Sequence, residues 1–188
     1  MRIKIGTISR KVSRANLWRI AYVVLAKGLP RSCYSIFCLK LRYFFTKRIA
    51  SYCGNDVNIE QNVTFGEELE IGDNSTIGFN SDLYGPVIIG KNVLIGPELA
   101  VYTNGHNFSE LNKPIIEQGN TEPRPVIIED NVWIGRRVLI MPGVTIKTGS
   151  IVGAGAVVTK TFPEYSIIVG NPAKVVKNRK DNRNYKAT

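Results

Sequence analysis

The amino-acid sequence predicts an all-β solenoid, and two regularities support this prediction. From residue 53 onward an apolar residue, called an anchor below, recurs at every sixth position, with one interruption between Val101 and Ile128. Four places after each anchor stands a small or aliphatic residue, with Phe162 as the misfit. A six-residue unit can form one short strand and a turn but cannot bury its own apolar face, so successive units must stack around a shared interior. The fifteen anchors are Cys53, Ile59, Phe65, Ile71, Ile77, Leu83, Ile89, Ile95, Val101, Ile128, Ile134, Ile140, Ile146, Val152 and Val158.

Glycine and asparagine occupy fixed positions beside the anchors. Gly directly follows eight anchors, and Asn stands three places after six of them. Both residue types tolerate the left-handed backbone region and tight corners, so we expect both columns to form the corners between strands. The alternative fold, a β-sandwich, would show period-two alternation and would not keep a single six-residue phase along the chain.

The net charge of +10 is distributed very unevenly. Residues 1–50 contain twelve Lys and Arg and no acidic residue, residues 51–173 contain seven against fourteen, and residues 174–188 contain six against one. The repeat is therefore an acidic body between two basic ends, which argues against a nucleic-acid partner. An apolar content of 44% excludes an intrinsically disordered chain.

The cysteines and the N-terminal sequence indicate in which cellular compartment the protein is expected. Cys33, Cys38 and Cys53 lack the spacing of a zinc site or a disulfide framework. No secretory signal peptide is evident, and the apolar stretch 21–26 is too short to span a bilayer. We therefore expect a cytoplasmic protein without a metal site, associated with a membrane if its basic N-terminus contacts one.

Residues 13–50 are expected to form two helices, Leu17–Ala26 and about Ser35 to Ala50, broken near Gly28-Leu-Pro30. Ser13 or Asn16 is expected to cap the first helix. One interpretation is that the helices cover the open end of the solenoid; another adds contact with an anionic membrane or an acidic glycan. In the second helix the expected apolar face is Ile36, Phe37, Leu41, Phe44 and Phe45, with Lys40, Arg42, Lys47 and Arg48 elsewhere around it.

The repeat and its ending, Ile151-Val-Gly-Ala-Gly-Ala-Val-Val-Thr-Lys160, resemble the hexapeptide-repeat acyltransferases over roughly residues 53–177. The resemblance is nearest to the maltose/galactoside O-acetyltransferase-like branch, which includes bacterial enzymes that modify polysaccharides. It implies a left-handed parallel β-helix of about five turns, a homotrimer with grooves between subunits, and direct transfer from acetyl-CoA. The expected organisation is a basic helical cap (1–52), the β-helix (53–170, with an extruded loop at 107–125), and a cofactor-edge segment with a basic tail (171–188).

The interruption in the repeat contains the only histidine, His106, at the point where the solenoid gives way to the loop. Loops on a regular scaffold often carry function. An imidazole can accept the hydroxyl proton as a sugar oxygen attacks a thioester. Thr103-Asn-Gly-His106 resembles the histidine-bearing motif of the family, which implies that His106 is the general base; the alternative is a solvated loop histidine.

Three further residues are candidates for acceptor binding. Where the galactoside/maltose pattern has a coil-borne Asn, this sequence has Gly78, and the nearest polar residues are Asn80 and Asp82. Either could donate to the thioester oxygen or bind the acceptor, and either could be an ordinary corner residue. Trp133 precedes an anchor, so its side chain should point outward. The resemblance implies that Trp133 lines the active-site groove; the alternative is subunit packing.

The C-terminal part of the repeat resembles the acetyl-CoA groove of the family. Its signature here is Gly170-Asn-Pro-Ala-Lys-Val, and by position the resemblance implies that Ala154 binds the cofactor through its backbone. Cations suit the phosphates of coenzyme A. The implied nucleotide- and phosphate-facing residues are Thr159, Lys160, Lys174 and Lys177, although Lys177 could also belong to a solvated basic end.

The sequence therefore predicts an acetyl-CoA-dependent O-acetyltransferase that acts on a sugar hydroxyl in cell-surface polysaccharide biosynthesis. One alternative is N-acetylation of an amino sugar or nucleotide-sugar, because the same histidine could serve an amine. A non-enzymatic alternative is a solenoid used for assembly or glycan binding. A zinc carbonic anhydrase of the same fold would need three histidine ligands, which one histidine cannot supply.

Overall fold

The structure is a computed structural model, and it describes residues 14–181. Two helices precede a stack of short strands. Helix α1 spans Arg14–Tyr22 and continues as a π-helical turn, Val23–Lys27, and helix α2 spans Ile36–Ile49. The strands are β1 Tyr52–Cys53, β2 Asn58–Ile59, β3 Leu69–Ile71, β4 Thr76–Ile77, β5 Asp82–Leu83, β6 Val87–Ile89, β7 Leu94–Ile95, β8 Ala100–Val101, β9 Val126–Ile128, β10 Trp133–Ile134, β11 Leu139–Ile140, β12 Thr145–Ile146, β13 Ile151–Val152, β14 Val157–Val158, β15 Ser166–Val169 and β16 Lys174–Asn178.

The strands form three sheets that enclose one core. Sheet 1 has the order β1-β3-β6-β9-β12, sheet 2 has β2-β4-β7-β10-β13-β15-β16, and sheet 3 has β5-β8-β11-β14. Pairing is parallel except between β15 and β16, and partners such as Asn58 and Thr76 lie one 18-residue turn apart. Each turn therefore gives one strand to each sheet, and the chain passes corners that we call 1/2, 2/3 and 3/1.

The predicted solenoid is confirmed, with about six turns where the sequence predicted about five. The additional turn comes from β15, which pairs with β13 after the last predicted anchor, Val158. All the anchors are buried except Cys53, which is partly buried. Their side chains fill the core, and the residue before each anchor in a strand points outward because side chains alternate along a strand.

The Asn and Gly columns beside the anchors are required for different structural reasons. Five of the six Asn residues have left-handed backbone, as expected; Asn74, for example, has φ 56°, and the exception is Asn104 at the start of the loop. The Gly column that directly follows the anchors does not have left-handed backbone. A Cβ atom added to Gly78 would lie 2.4 Å from the carbonyl carbon of Gly96 in the next turn. Every glycine of this column except Gly66 is therefore needed for close stacking of successive turns, and the prediction that the column serves backbone conformation was wrong.

The N-terminal helices lie across the open end of the first turn. The Tyr22 hydroxyl donates to the Val63 carbonyl at 3.0 Å, and the Tyr43 hydroxyl donates to the Gly54 carbonyl at 2.9 Å. The Asn62 N–H donates to the Lys27 carbonyl at 2.9 Å. The helices thus supply hydrogen-bond partners to backbone groups that a further turn would otherwise pair.

The expected apolar face of α2 is correct only in part. Phe45 is buried and Leu41 is partly buried, but Ile36, Phe37 and Phe44 are exposed. The buried residues of the helix are Cys38, Arg42, Phe45, Thr46 and Ile49. The helix is rotated about its axis relative to the expectation because Arg42 is drawn inward. Its Nε atom donates to the Ile59 carbonyl at 2.6 Å, and its Nη atoms bond the Leu29 and Pro30 carbonyls and the Ser32 hydroxyl.

The helix boundaries also differ from expectation. Helix α1 begins at Arg14, so Asn16 lies inside it and is not its cap, and Ser13 lies outside the described residues. Ser35 caps α2 by accepting a hydrogen bond from the Cys38 N–H at 3.5 Å. Within residues 14–181, neither helix has the length and hydropathy needed to cross a bilayer.

Candidate active site

The interruption of the repeat is a loop that leaves the solenoid at corner 3/1. Val87 of β6 pairs with Val126 of β9, 39 residues later instead of the usual 18, so the loop adds 21 residues to one turn. The base of the loop is held from two sides. The buried Thr103 hydroxyl donates to the Tyr84 carbonyl at 2.8 Å, and the Arg124 N–H donates to the Thr103 carbonyl at 2.7 Å.

His106 lies at the start of this loop with its side chain exposed. Its backbone forms an antiparallel bridge with Asn120, flanked by hydrogen bonds from the Asn107 N–H to the Gly119 carbonyl and from the Thr121 N–H to the Gly105 carbonyl. These bonds fix the backbone on both sides of His106. The imidazole is therefore presented to solvent from an ordered segment.

The outer part of the loop is held by one side chain. Gln118 Nε2 donates to the carbonyls of Glu110 at 2.8 Å and Lys113 at 2.7 Å, and its Oε1 accepts from the Glu110 N–H. The same segment carries large apolar side chains in solvent, among them Leu111 and Ile116, which are 95% and 89% exposed. An ordered loop with an exposed apolar tip is suited to contact another surface.

Two tyrosines that the sequence analysis missed lie at the same corner as His106. Tyr84 and Tyr102 stack with their ring centroids 5.9 Å apart and their planes 17° apart. Each directly follows an anchor, and the two are one 18-residue turn apart, which is the sequence signal that could have identified them. The carboxylate of Asp82, with smaller contributions from burial and Tyr102, raises the pKa of Tyr84.

Asp82 and Asn80 occupy different environments. Asp82 is the first residue of β5 and points outward on sheet 3, close enough to Tyr84 to act on its pKa. Asn80 is an exposed corner residue with φ 57°, and its Oδ1 accepts a hydrogen bond from Asn62 Nδ2 at 3.1 Å. A matching bond joins Asn74 to Asn92, so Asn80 belongs to a ladder of corner asparagines.

Ala154 lies at corner 2/3, exposed, beside two arginines that the sequence analysis did not single out. The Gly155 N–H donates to the Arg136 carbonyl at 2.8 Å. The side chains of Arg136 and Arg137 both bond the carboxylate of Glu98, and these bonds, that of Arg136 first, lower the pKa of Glu98. Two cations therefore adjoin Ala154, held in part by one carboxylate.

The four predicted phosphate-facing residues are distributed over two regions of the last turns. Thr159 and Lys160 follow β14 at corner 3/1, and Lys160 Nζ lies 5.6 Å from the Phe162 ring centroid. Lys174 begins β16 opposite Val169, directly after Ala173, whose N–H donates to the Val157 carbonyl of sheet 3. Lys177 lies further along β16, on sheet 2. The first three residues thus flank sheet 3 and Lys177 does not.

Trp133 is on a different side of the molecule from His106. It is the first residue of β10 on sheet 2, and it points outward and is half exposed, as expected. It lines a shallow groove of about 350 Å³ with Leu94 and Pro97, at whose edge the Arg31 guanidinium lies 4.4 Å from the Phe79 ring centroid. In a triangular solenoid, sheet 2 lies opposite corner 3/1. One chain therefore does not bring Trp133 and His106 together.

Metal ligands are not grouped in the described part of the chain. Within residues 14–181, three or more His, Cys, Asp or Glu side chains do not come close enough to hold a metal ion. The polar groups that the described residues bring to the two ends of sheet 3 are one imidazole, two carboxylates, two phenols and several cations. Such groups can accept a proton and bind anions.

Residues 68–98 and 125–160 match the family described as bacterial transferase hexapeptide (six repeats). The chain is 34% identical over 139 residues to the galactoside O-acetyltransferase of Escherichia coli, a match that spans 72% of this chain and 67% of the relative. It is 46% identical over 93 residues to a provisionally named acetyltransferase of Schizosaccharomyces pombe, a match that spans 48% of this chain and 42% of the relative.

The solved structures agree with these relatives. The hexapeptide-repeat acetyltransferase of Vibrio cholerae superposes with a TM-score of 0.74 at 28% identity, over 87% of this chain and 89% of that one. The same Vibrio protein in complex with acetyl coenzyme A superposes with a TM-score of 0.71 at 27% identity, over 88% of this chain and 85% of that one. With its repeat and its left-handed β-helix, the chain belongs to the hexapeptide-repeat acetyltransferases.

Proposed function

We propose that this protein transfers the acetyl group of acetyl-CoA to a sugar hydroxyl, with His106 as the general base. The observation that supports the proposal most is the exposed imidazole of His106 on a hydrogen-bonded loop base, at the same corner of the solenoid as the stacked pair of Tyr84 and Tyr102. Family membership and the acetyl coenzyme A complex of the Vibrio relative support the choice of acetyl donor.

The proposed reaction needs no covalent intermediate on the protein. The neutral imidazole of His106 accepts the proton of the sugar hydroxyl while the oxygen attacks the thioester carbonyl carbon. The C–O bond forms and the C–S bond breaks, and the departing thiolate of coenzyme A takes up the proton from the imidazolium. A backbone N–H near the loop base would stabilise the negative charge that develops on the thioester oxygen.

We propose that coenzyme A lies along sheet 3, between corners 2/3 and 3/1. The residues that support this position are the exposed backbone at Ala154 and the exposed cations Lys160 and Lys174, which flank sheet 3. Thr159 adds a hydroxyl group beside Lys160, and Lys177 would meet the nucleotide at the last turn. Exposed Lys side chains are suited to phosphates as point charges.

For the acceptor, we propose a sugar unit of a cell-surface polysaccharide or its precursor, modified in the cytoplasm. The galactoside named for the Escherichia coli relative supports a sugar. The stacked rings of Tyr84 and Tyr102 offer an aromatic surface at the same corner as His106, and Asp82, close to Tyr84, offers a hydrogen-bond acceptor for sugar hydroxyls.

We also propose that the active protein is a trimer whose sites lie between subunits. In one chain His106 and Trp133 face opposite sides of the solenoid. If corner 3/1 of one subunit meets sheet 2 of the next, the exposed loop residues Leu111 and Ile116 gain a partner and Trp133 comes next to His106. Such head-to-tail contacts close into a ring when the rotation permits it.

The mechanism is tested by acetyl-CoA turnover with a panel of sugars, glycans and amino sugars. His106→Ala should lower kcat about 100- to 10,000-fold, because a general base is lost, while the KM for acetyl-CoA changes little. Lys113→Ala, on the outer part of the same loop, is the control and should retain wild-type kcat. Hydroxyl acetylation by His106→Ala at the wild-type rate would refute the mechanism, and turnover with amines alone would replace O-acetylation by N-acetylation.

The shared site has its own test. His106→Ala and Trp133→Ala should each be poorly active, yet mixing the two variants under conditions that allow subunits to exchange should restore part of the activity. Mixed rings contain some interfaces with an intact His106 from one subunit and an intact Trp133 from its neighbour. Light scattering should give the mass of three chains. A monomeric mass for the active protein would overturn the proposal.

A further inference from the structure

We propose that the outer faces of α1 and α2 bind the surface of an anionic lipid bilayer. This interfacial surface comprises Leu17, Ile20 and Val24 of α1 and the π-helical turn, Ile36, Phe37 and Phe44 of α2, and the cations Lys40, Lys47 and Arg48. It is separate from the candidate active site, and the inference does not depend on the proposed acetyl transfer.

The apolar side chains of α1 face away from the solenoid. Leu17, Ile20 and Val24 follow the spacing of one helix face, and Val24 is 73% exposed. The opposite side of the helix is buried, with Tyr22 packed at 5.2 Å between ring centroids on Phe65 of the first turn. Helix α1 is thus apolar on two sides. One side packs on the solenoid, and the other faces solvent.

Helix α2 adds aromatic groups and cations to the same surface. Ile36, Lys40, Phe44 and Lys47 follow one face, opposite the buried stripe that contains Arg42. Arg48 joins the two helices, since its guanidinium lies 3.4 Å from the Phe44 ring centroid and 5.2 Å from that of Trp18. Long cationic side chains beside exposed aromatic rings can place their charges at headgroups while the apolar parts enter the bilayer.

The charge of this region identifies the occupant. Residues 1–50 contain twelve Lys and Arg and no acidic residue, while the solenoid that follows is acidic. A neutral apolar partner would leave the cations unpaired, and a polar anionic partner would leave the apolar side chains in water. An anionic bilayer offers both negative headgroups and hydrocarbon. Lying in the interface does not require a spanning helix, consistent with the absence of one in residues 14–181.

The experiment is co-sedimentation of the full chain with vesicles of phosphatidylcholine alone or mixed with phosphatidylglycerol, at low and high salt. Binding should require phosphatidylglycerol and weaken at high salt, because exposed charges are screened. Lys40→Gln combined with Lys47→Gln should weaken binding about 25-fold, about fivefold for each cation removed. Val24→Asp combined with Phe37→Asp should weaken it about tenfold or more, because charged groups would enter the apolar layer.

The matched control is Lys113→Gln, because Lys113 is an exposed cation on the loop and lies outside the interfacial surface. It should leave vesicle binding unchanged, and thermal unfolding should show that every variant is folded. Equal binding to both vesicle types, or wild-type binding by the helix variants, would overturn the inference. Loss of an oligomer in Val24→Asp with Phe37→Asp, without vesicle binding by the wild type, would assign the surface to a second copy instead.

Discussion

Different interactions stabilise two regions of the molecule: the contacts between turns of the solenoid, and the contact between the N-terminal helices and the first turn. Between turns, backbone N–H and C=O groups pair at each 18-residue step, and a side chain matters mainly through its size. At the first turn this ladder ends, and individual side chains, above all Arg42, Tyr22 and Tyr43, bond the remaining carbonyls. A repeat is thus stabilised by distributed backbone pairing, whereas its end depends on a few specific residues, so single substitutions should act differently in the two regions.

The largest effect is expected inside the solenoid, at Gly78. Gly78→Ala should lower the free energy of unfolding by about 3 kcal/mol, because the new Cβ atom would lie 2.4 Å from the backbone of the next turn and the turns must move apart. Gly66→Ala is the matched control, since Gly66 also follows an anchor but its nearest neighbour would be 4.0 Å away. Chemical denaturation measures both, and equal effects would contradict the stacking role.

At the junction, Arg42→Leu should cost about 2 to 3 kcal/mol in the free energy of unfolding. The substitution preserves much of the apolar volume but leaves the carbonyls of Ile59, Leu29 and Pro30 without their donor. Lys40→Leu, on the exposed face of the same helix, should change stability by less than about 0.5 kcal/mol. If Arg42→Leu left the free energy of unfolding unchanged, the helices would be held by apolar packing alone.

A smaller, pH-dependent effect is expected at Glu60. Burial acts to raise the pKa of Glu60, but hydrogen bonds from Ser32 and Asn58 and the nearby Arg42 outweigh it, so the pKa lies below its ordinary value of 4.5. A lowered pKa means that the charged group stabilises the fold above pH 4.5 and that this stabilisation is lost as the pH falls further. Glu60→Gln should therefore cost about 1 kcal/mol at neutral pH and progressively less in acid.

Denaturation of wild type and Glu60→Gln across the acid range provides the measurement. A difference between the two proteins that grows as the pH falls would contradict the sign. Asp73, whose pKa is also lowered, by bonds from the Asn55 N–H and from Lys91, lies on the exposed solenoid surface. Its replacement by Asn should have a smaller effect than the change at Glu60, because solvent screens the exposed pair.

The candidate site was predictable where one residue type stands out in sequence. His106 is the only histidine and lies at the only long interruption of the repeat, so its position on the loop could be predicted, while its role as the base stays a prediction. Tyr84 and Tyr102 were missed because each resembles any outward residue after an anchor. Their stacking becomes visible only when the turns are superposed with an 18-residue step.

The sequence by itself determined the solenoid and the place of the loop, because a six-residue period assigns every residue to the inside, the outside or a corner, while the left-handed β-helix came from the resemblance to a family. Only the tertiary structure decided the orientation of α2, in which Arg42 is buried and bonds the carbonyls of the open first turn while Ile36 and Phe37 lie in solvent. It also decided that the glycines after the anchors serve turn stacking and that Trp133 and His106 lie on opposite sides. Both depend on contacts between turns, which no local pattern contains.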